Sequence, residues 1–217
     1  MYMIDVVLPV LNEAEAIPRV LGSLPPGFRA IVVDNGSTDG SAKVAAEYGA
    51  MVIHEPLRGF GAACFAGLAG ARTDVVAFMD CDGSLDPGEL PLVTGPIENR
   101  HADLVIGTRR AQAGAWPLHA RVANRALAHI VRARTGLCLD DLGPMRAARR
   151  DSLLHLELVD RRFGWPLEMI LKANLAQWRI TSAVVSYRPR VGRSKVTGTL
   201  RGTAFTIADM TKTLHRA

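Results

Sequence analysis

The sequence VVAFMDCDGS spans residues 75–84 and places two aspartates directly after a run of apolar residues. The apolar run predicts a buried strand, so Asp80 and Asp82 stand at its carboxyl end. Two carboxylates separated by one residue can hold Mg²⁺ or Mn²⁺, and such an ion can neutralise a diphosphate. The same residues also suit a solvated Asp-x-Asp-Gly turn, because Asp and Gly are ordinary turn residues. The rest of the chain must therefore distinguish a metal site from a turn.

The composition predicts a globular protein that does not cross a membrane. The chain has 217 residues, of which 48% are hydrophobic and 22% charged, and this length suits one domain. No apolar stretch approaches the roughly 18 residues that span a bilayer. The amino terminus lacks the basic and apolar segments of a signal peptide. Three cysteines without metal-type spacing fit a reducing compartment, so we expect a cytoplasmic protein.

Positive charge is concentrated in the second half of the chain. The net charge is +5, and most of the excess is arginine after residue 100. Interleaved aromatic residues and a recognisable nucleic-acid-binding motif are missing, so we do not expect nucleic acid as a partner. Phosphorylated small molecules and an anionic membrane surface explain the charge equally well.

Strands and helices are predicted to alternate along the first half of the chain. Strands are expected at residues 4–9, 30–33, 50–54, 75–79 and 104–107, and helices at 12–24, 38–48, 61–71 and 87–99. This alternation predicts an α/β fold whose mostly parallel sheet is sandwiched by helices. Further on we expect helices at 118–134, 165–178 and 198–215, a strand at 180–187 and an irregular crossing with a short strand at 140–146. We expect one domain over 1–217, in which residues 1–110 form a nucleotide-binding half and 111–217 an acceptor half.

Polar clusters follow four of the predicted strands. They are Pro9 with Asn12-Glu13, Asp34-Asn35, Asp80 with Asp82, and Gly107-Thr108-Arg109. Ligands of open parallel sheets bind beyond the carboxyl ends of the strands. Turn chemistry explains any one cluster, but four clusters at one edge of a sheet predict a binding site.

A second motif suggests a different class of enzyme. Gly59-Phe60-Gly61-Ala62-Ala63-Cys64 follows a strand and opens a helix, and Asp80 lies about twenty residues further on. This spacing nearly matches the dinucleotide fingerprint of NAD(P) oxidoreductases. Cys64 stands at the third glycine position, however, and the fingerprint normally occupies the first strand–helix turn. We therefore keep the oxidoreductase as an alternative from another class.

Taken together, the clusters resemble family 2 glycosyltransferases with the GT-A fold. The segments that carry the resemblance are 8–13 (LPVLNE), 32–40 (VVDNGSTDG), 58–61 (RGFG) and 79–84 (MDCDGS). Later segments resemble the dolichyl- and polyprenyl-phosphate mannose or glucose synthases, namely 103–109 (DLVIGTR), 141–142 (DL), 168–170 (EMI) and 192–196 (GRSKV). The resemblance spans essentially the whole chain, although those enzymes often continue into transmembrane helices.

The resemblance implies a role for each candidate residue. Asp80 and Asp82 would bind Mg²⁺ or Mn²⁺ and the sugar nucleotide, and Arg109 would face an acceptor phosphate. Residues implied to bind the nucleotide or substrate are Pro9, Asn12, Glu13, Asp34, Asn35, Arg58, Gly59, Cys81, Arg193 and Lys195. The Cys81 thiol is itself interpreted as structural, because sulfur suits a hard cation poorly. The family often has two acids where this chain has Asp34-Asn35, so recognition of the base or ribose is expected to differ.

The implied reaction is an inverting transfer of a sugar from a UDP- or GDP-sugar to a polyprenyl phosphate. A phosphate acceptor is already ionised near neutral pH and needs no general base. A soluble hydroxyl acceptor is the alternative, and it needs a carboxylate base, for which Asp141 is the candidate. Residues 198–215 could form an amphipathic helix that contacts the inner face of a membrane peripherally. The oligomeric state cannot be inferred from the sequence.

Overall fold

The computed structural model describes residues 3–192 and 209–214. Its strands are β1 Ile4–Val10, β2 Phe28–Asp34, β3 Met51–His54, β4 Val75–Phe78, β5 Leu104–Ala111, β6 Arg146–Arg149 and β7 Ile180–Tyr187. Its helices are α1 Ile17–Gly22, α2 Ser41–Glu47, α3 Phe60–Gly70, α4 Leu90–Glu98, α5 Leu118–Thr135, α6 Arg150–His155 and α7 Trp165–Leu175. A 3-10 turn at Pro87–Glu89 precedes α4, and residues 209–214 are helical.

The strands form one sheet in the order β3-β2-β1-β4-β6-β5-β7. Neighbouring strands are parallel except where β6 pairs antiparallel with both β4 and β5. Strands β4 and β5 consequently run in the same direction on either side of β6. The predicted α/β class with a mostly parallel sheet is confirmed.

Apolar side chains cover both faces of the sheet. On one face Val7 packs in a cluster with Phe78 and Trp165 of α7. On the other face Val6 and Leu8 pack with Leu90 and other residues of α4. Adjacent residues of a strand point to opposite faces, so a strand buried on both faces needs a continuous apolar run. This requirement explains why the central strands could be recognised from sequence.

The first helix begins later than predicted. Helix α1 starts at Ile17 rather than residue 12, because Asn12 has a left-handed backbone with φ of 56°. The Asn12 side chain accepts a hydrogen bond from the Thr38 amide at 2.7 Å, and the Asn12 amide donates to Ser37 Oγ at 2.8 Å. Asn12 thus joins the loops after β1 and β2 instead of starting a helix, since Asn adopts this backbone conformation more readily than most residues.

The region between β5 and α7 also differs in detail from the prediction. The short strand lies at Arg146–Arg149, at the end of the expected crossing, and continues into α6, which was not predicted. Its sequence, RAAR, has no β-branched residue, so pairing with β4 and β5 rather than strand propensity determines it. Most of the expected helix at 198–215 lies outside the described residues. Within the described part of the chain, no helix is both long enough and apolar enough to span a bilayer.

Candidate active site

The carboxyl ends of β1, β2, β4, β5 and β7 lie at the same edge of the sheet. Because β6 is antiparallel, the segment that leads into it, residues 141–145, reaches this edge as well. The four polar clusters predicted from the sequence are therefore all at one edge, as parallel strands require. Their side-chain contacts divide the edge into a carboxylate centre and two flanks.

Asp80 and Asp82 form the centre of this edge. The Oδ1 atom of Asp82 accepts a hydrogen bond from the Ser84 amide at 2.9 Å, which fixes the carboxylate in the turn after β4. Asp80 accepts no hydrogen bond from the described residues. Burial, followed by the charge of Asp82, raises the pKa of Asp80 to about 7. The surroundings therefore disfavour the charged form of Asp80, and a bound cation would favour it.

This pair is suited to a divalent cation that also binds a phosphate group. Within the described residues, no group of three or more His, Cys, Asp or Glu side chains is arranged to hold a metal ion. Mg²⁺ commonly takes one or two carboxylates and completes its shell with substrate phosphates and water. The carboxylates of Asp80 and Asp82 fit that kind of site, because no described residue donates a hydrogen bond to Asp80. Burial raises the pKa of the Cys81 thiol far above its usual range, so this residue does not supply a thiolate.

The flank formed by β1 and β2 contains the residues expected to bind the nucleotide. Pro9 lies in β1, where it is paired with Val33 of β2. Asp34 ends β2, and its Oδ1 atom accepts a hydrogen bond from the Ser37 amide at 3.0 Å. The Oδ2 atom of Asp34 lies 3.3 Å from Nδ1 of His54. This arrangement places a buried carboxylate and an exposed imidazole at the ends of two adjacent strands.

Asn35 organises the loop that follows β3. Its Nδ2 atom donates to the carbonyls of Glu55 at 2.9 Å and Leu57 at 2.8 Å, and its Oδ1 atom accepts from the Gly59 amide at 2.8 Å. These bonds use both the donor and acceptor ends of the amide group. The guanidinium of Arg58, in the same loop, covers Gly36, where a Cβ atom would lie 3.1 Å from Cζ. Asn35 thereby positions Arg58 over the turn after β2.

The glycines that resembled a dinucleotide fingerprint serve close packing instead. A Cβ atom at Gly59 would lie 2.1 Å from the carbonyl oxygen of Arg161, and one at Gly61 would lie 2.7 Å from that of Asp160. The amides of Gly61 and Ala62 donate to the carbonyls of Arg162 and Arg161. The amides that would bind a pyrophosphate in an oxidoreductase therefore already donate hydrogen bonds to carbonyl groups of the protein. The implied nucleotide contact of Gly59 stays a prediction.

Arg109 forms the other flank with Asp141. Its Nε and Nη2 atoms donate to the two carboxylate oxygens of Asp141 at 2.8 and 2.7 Å, and its backbone amide donates to the same group at 2.9 Å. Its guanidinium carbon lies 3.8 Å from the ring centre of Trp116 and 5.3 Å from that of Tyr187. Burial, the largest single influence, lowers the pKa of Arg109, but the hydrogen bond to Asp141 and the charges of nearby acidic groups together raise it above its ordinary value. Arg109 is thus a fixed cation whose charge acts on Asp80.

Comparison with known proteins identifies the family. Residues 5–156 match the family described as Glycosyl transferase family 2. The chain belongs to this family. The glycosyltransferase is 48% identical to an uncharacterised glycosyltransferase of Mycobacterium tuberculosis over 213 residues, which are 97% of each chain. It is 31% identical over 218 residues to undecaprenyl-phosphate mannosyltransferase of Micrococcus luteus, covering 91% of this chain and 89% of that protein.

A solved structure supports the same fold. Glucosyl-3-phosphoglycerate synthase of Mycobacterium tuberculosis, in complex with Mn²⁺, UDP and phosphoglyceric acid, matches with a TM-score of 0.75 and 27% identity, covering 98% of this chain and 77% of that one. A complex of the same synthase with Mg²⁺ and UDP matches with a TM-score of 0.77. The glycosyltransferase therefore has the GT-A fold, and the alternative assignment as an oxidoreductase is wrong.

Two site residues of the glycosyltransferase were not found from its sequence. Arg190, three residues after β7, donates from Nη2 to Glu13 Oε1 at 2.7 Å, and its Nη1 atom lies 3.4 Å from Asp82 Oδ2. Arg146, at the start of β6, is buried and donates to the carbonyls of Leu142 at 3.2 Å and Gly143 at 2.7 Å. Arg190 belongs to the arginine-rich part of the chain after residue 100, but the sequence does not show which of these arginines reaches the carboxylates.

Arg146 supports the loop that carries Asp141. In addition to the carbonyls of that loop, its guanidinium binds the carbonyl of Pro166 in α7 at 2.9 Å. Burial lowers the pKa of Arg146 to about 10, which still leaves it charged at neutral pH. A buried cation among carbonyl dipoles thus connects α7 to the residues next to Arg109. The remaining predicted residues, Arg193 and Lys195, lie outside the part of the chain that the structure describes.

Proposed function

We propose that the protein transfers a sugar, with inversion, from a UDP- or GDP-sugar to a polyprenyl-phosphate-type acceptor. The donor diphosphate is assigned to the Asp80–Asp82 centre, and its nucleoside to the flank with Pro9, Asn12, Asp34 and Arg58. The acceptor phosphate is assigned to Arg109. The solved relative bound to Mn²⁺ and UDP supports the donor class, and the undecaprenyl-phosphate mannosyltransferase supports the acceptor class.

The observation that supports a lipid acceptor is that Arg109 lies next to the start of α5. Arg109 stacks on Trp116, and only Pro117 separates Trp116 from the start of α5. Leu118, Val122 and Ile130 of α5 are 73%, 57% and 39% exposed. An acceptor with an ionised phosphate and a hydrocarbon tail requires a cation beside exposed apolar surface. Arg109 and α5 supply these two features in that order.

The exposed face of α5 also suggests peripheral contact with an anionic membrane. The helix has 18 residues and contains no Asp or Glu, whereas Arg121, Arg125, Arg132 and Arg134 are exposed cations. Its buried residues, Ala120, Ala128 and Val131, face the protein. A helix with a cationic, partly aliphatic outer face binds the headgroup region of anionic bilayers. We assign membrane contact to α5, because most of residues 198–215 lie outside the described structure.

The chemistry requires orientation and charge stabilisation more than proton transfer. An oxygen of the acceptor phosphate attacks the anomeric carbon from the side opposite the diphosphate, and the nucleoside diphosphate leaves. Mg²⁺ or Mn²⁺, held by Asp80 and Asp82, would stabilise the negative charge of the leaving group. Arg109, fixed by Asp141 and two aromatic rings, holds the ionised acceptor in line. All three donor contacts to Asp141 come from Arg109, so we assign Asp141 to positioning rather than to general base catalysis.

A soluble acceptor is the second candidate function, because the structural relative was solved with phosphoglyceric acid. The decisive experiment incubates the protein with UDP- or GDP-sugars and Mn²⁺, offering a short prenyl phosphate or phosphoglycerate. We expect sugar transfer to the prenyl phosphate. Transfer to phosphoglycerate alone would support the second candidate instead.

The assignment of the metal centre has its own test. Asp82→Ala should abolish metal-dependent transfer, whereas Asp74→Ala should not, because Asp74 lies at the opposite end of β4 and is exposed. Full metal-dependent activity in Asp82→Ala would show that the donor site has been misplaced.

A further inference from the structure

Arg190 connects the carboxylates of Glu13 and Asp82. Its guanidinium binds Glu13, in the loop after β1, at 2.7 Å and lies 3.4 Å from Oδ2 of Asp82, after β4. Its Nε atom is buried and has no hydrogen-bond acceptor among the described residues. Arg190 is therefore held by charge, but its hydrogen-bonding capacity is not fully used in this position.

The backbone around Arg190 is fixed against the turn that carries Asp82. The Val191 amide donates to the Asp82 carbonyl at 2.9 Å, and the Arg188 amide donates to the Ser84 carbonyl at 2.8 Å. Leu85 and Tyr187 form an isolated antiparallel bridge. Because the main chain is held on both sides of Arg190, movement of its guanidinium can occur by side-chain rotation alone.

A divalent cation and this guanidinium would interact with the same carboxylate. The Oδ1 atom of Asp82 accepts the Ser84 amide, which leaves Oδ2, the atom nearest Arg190, as the freer ligand. Two cations close to one oxygen repel each other, so Arg190 opposes binding of a metal ion alone. A diphosphate removes this conflict, because its oxygens can bind both the metal ion and the guanidinium.

We propose that Arg190 makes the divalent cation and the nucleotide diphosphate bind as a pair. Without the diphosphate, Arg190 neutralises Asp82 and Glu13 and weakens metal binding. When the diphosphate is present, the guanidinium moves onto it and frees Asp82 for the metal ion. This inference rests on the proposed donor site, and it predicts a larger coupling between metal and nucleotide than the carboxylates alone would give.

The test measures Mn²⁺ affinity by electron paramagnetic resonance of the free ion, with and without saturating UDP or GDP. In the full chain we expect the nucleotide to tighten Mn²⁺ binding. In Arg190→Gln, Mn²⁺ alone should bind about tenfold more tightly than in the unaltered protein, because a neighbouring positive charge is gone. The factor by which the nucleotide tightens Mn²⁺ binding should fall by a similar amount.

Two further variants separate charge from structure. Arg188→Gln is the matched control, because Arg188 lies in the same segment but pairs with Asp86, and it should leave both Mn²⁺ affinities unchanged. Arg190→Lys keeps the charge and should retain most of the coupling. Equal Mn²⁺ affinities in Arg190→Gln and the unaltered protein, with the nucleotide effect intact in both, would overturn the role of Arg190 alone. An unaltered protein in which neither nucleotide affects Mn²⁺ binding would overturn the donor site as well.

Discussion

At the scale of single residues, Asp80 determines how the site responds to pH. Burial and the charge of Asp82 raise its pKa to about 7, and a protonated carboxyl group does not bind a divalent ion. We expect Mn²⁺ affinity, measured with nucleotide present, to fall about fivefold between pH 7 and pH 6, because the ionised fraction of Asp80 falls by that factor. In Asp80→Asn the affinity should be low and nearly independent of pH. A flat profile for the unaltered protein between pH 6 and pH 8 would contradict this prediction.

The same shift in pKa predicts a gain in stability when Asp80 is neutralised. The ordinary value is 3.8, so between about pH 4 and pH 7 the folded protein binds more protons than the unfolded chain. The free energy of unfolding therefore falls as the pH rises through this range. In EDTA at pH 8, Asp80→Asn should melt a few degrees higher than the unaltered protein, and the difference should vanish near pH 4. Thermal melts followed by circular dichroism provide the measurement.

Asp141 can be assigned by separating binding from chemistry. Asp141→Asn would remove the ion pair that holds the Arg109 guanidinium in place. We therefore expect the acceptor KM to rise about tenfold, while kcat and the KM of the sugar nucleotide change little. Asp140→Asn is the control, since the adjacent Asp140 side chain is exposed. If Asp141 were instead a general base, kcat would fall while the acceptor KM changed little.

The sequence was most informative about site residues that directly follow a strand. Asp34, Asp80 and Arg109 could be placed because each lies at or near the end of an apolar run. Arg190 could not be singled out, because its partner Glu13 is 177 residues away in the chain. Arg146 was missed for a different reason: an arginine among apolar residues gives no sign that carbonyl groups will surround it.

At the scale of secondary structure elements, the start of α3 depends on a glycine. Gly59 has φ of 150°, and a Cβ there would meet the Arg161 carbonyl at 2.1 Å. We expect Gly59→Ala to lower the free energy of unfolding by about 3 kcal/mol in urea denaturation. Gly40→Ala is a suitable comparison, because φ is 87° there but nothing lies within 4 Å of the added atom. It should cost only about 1 kcal/mol, and equal costs would rule out the steric explanation.

Helix α5 carries the prediction about membranes. Val122→Glu should reduce binding to vesicles that contain anionic phospholipid by at least about fivefold, because it places a negative charge in the exposed cationic face. Leu175→Glu is the matched control, since Leu175 is 67% exposed but belongs to α7. Cosedimentation with the vesicles, together with a melting curve for each variant, tests the effect. Equal losses in both variants would show that α5 has no special role.

Elements whose residues were apolar throughout were predicted well, and elements determined by distant partners were not. Strand β4 consists of four consecutive buried residues, and this apolar run predicted the strand. The start of α1 depends on hydrogen bonds between Asn12 and the loop after β2, and β6 depends on two strands that flank it. Such contacts are formed by the tertiary structure and have no local pattern.

At the scale of the whole molecule, the two predicted halves share one sheet. Strand β6, from the second half, lies between β4 and β5 of the first half, and β7 covers the other side of β5. A fragment of residues 1–111 would leave β5 without either neighbour and β4 without one. We expect this fragment to show no cooperative thermal transition and no nucleotide binding. A folded fragment that binds UDP or GDP would establish residues 1–110 as an independent unit.

The position of β6 has a consequence for how the protein is made. During synthesis β5 leaves the ribosome about 35 residues before β6, and both of its neighbours in the sheet are still to come. Its apolar residues must stay exposed during this interval, with unpaired amide and carbonyl groups along both sides. Slow passage through this stretch would favour aggregation. The nascent chain is therefore expected to depend on chaperones until β6 has emerged and then β7, which ends at residue 187. The two strands that complete the sheet thus also set the time at which the protein becomes safe from misfolding.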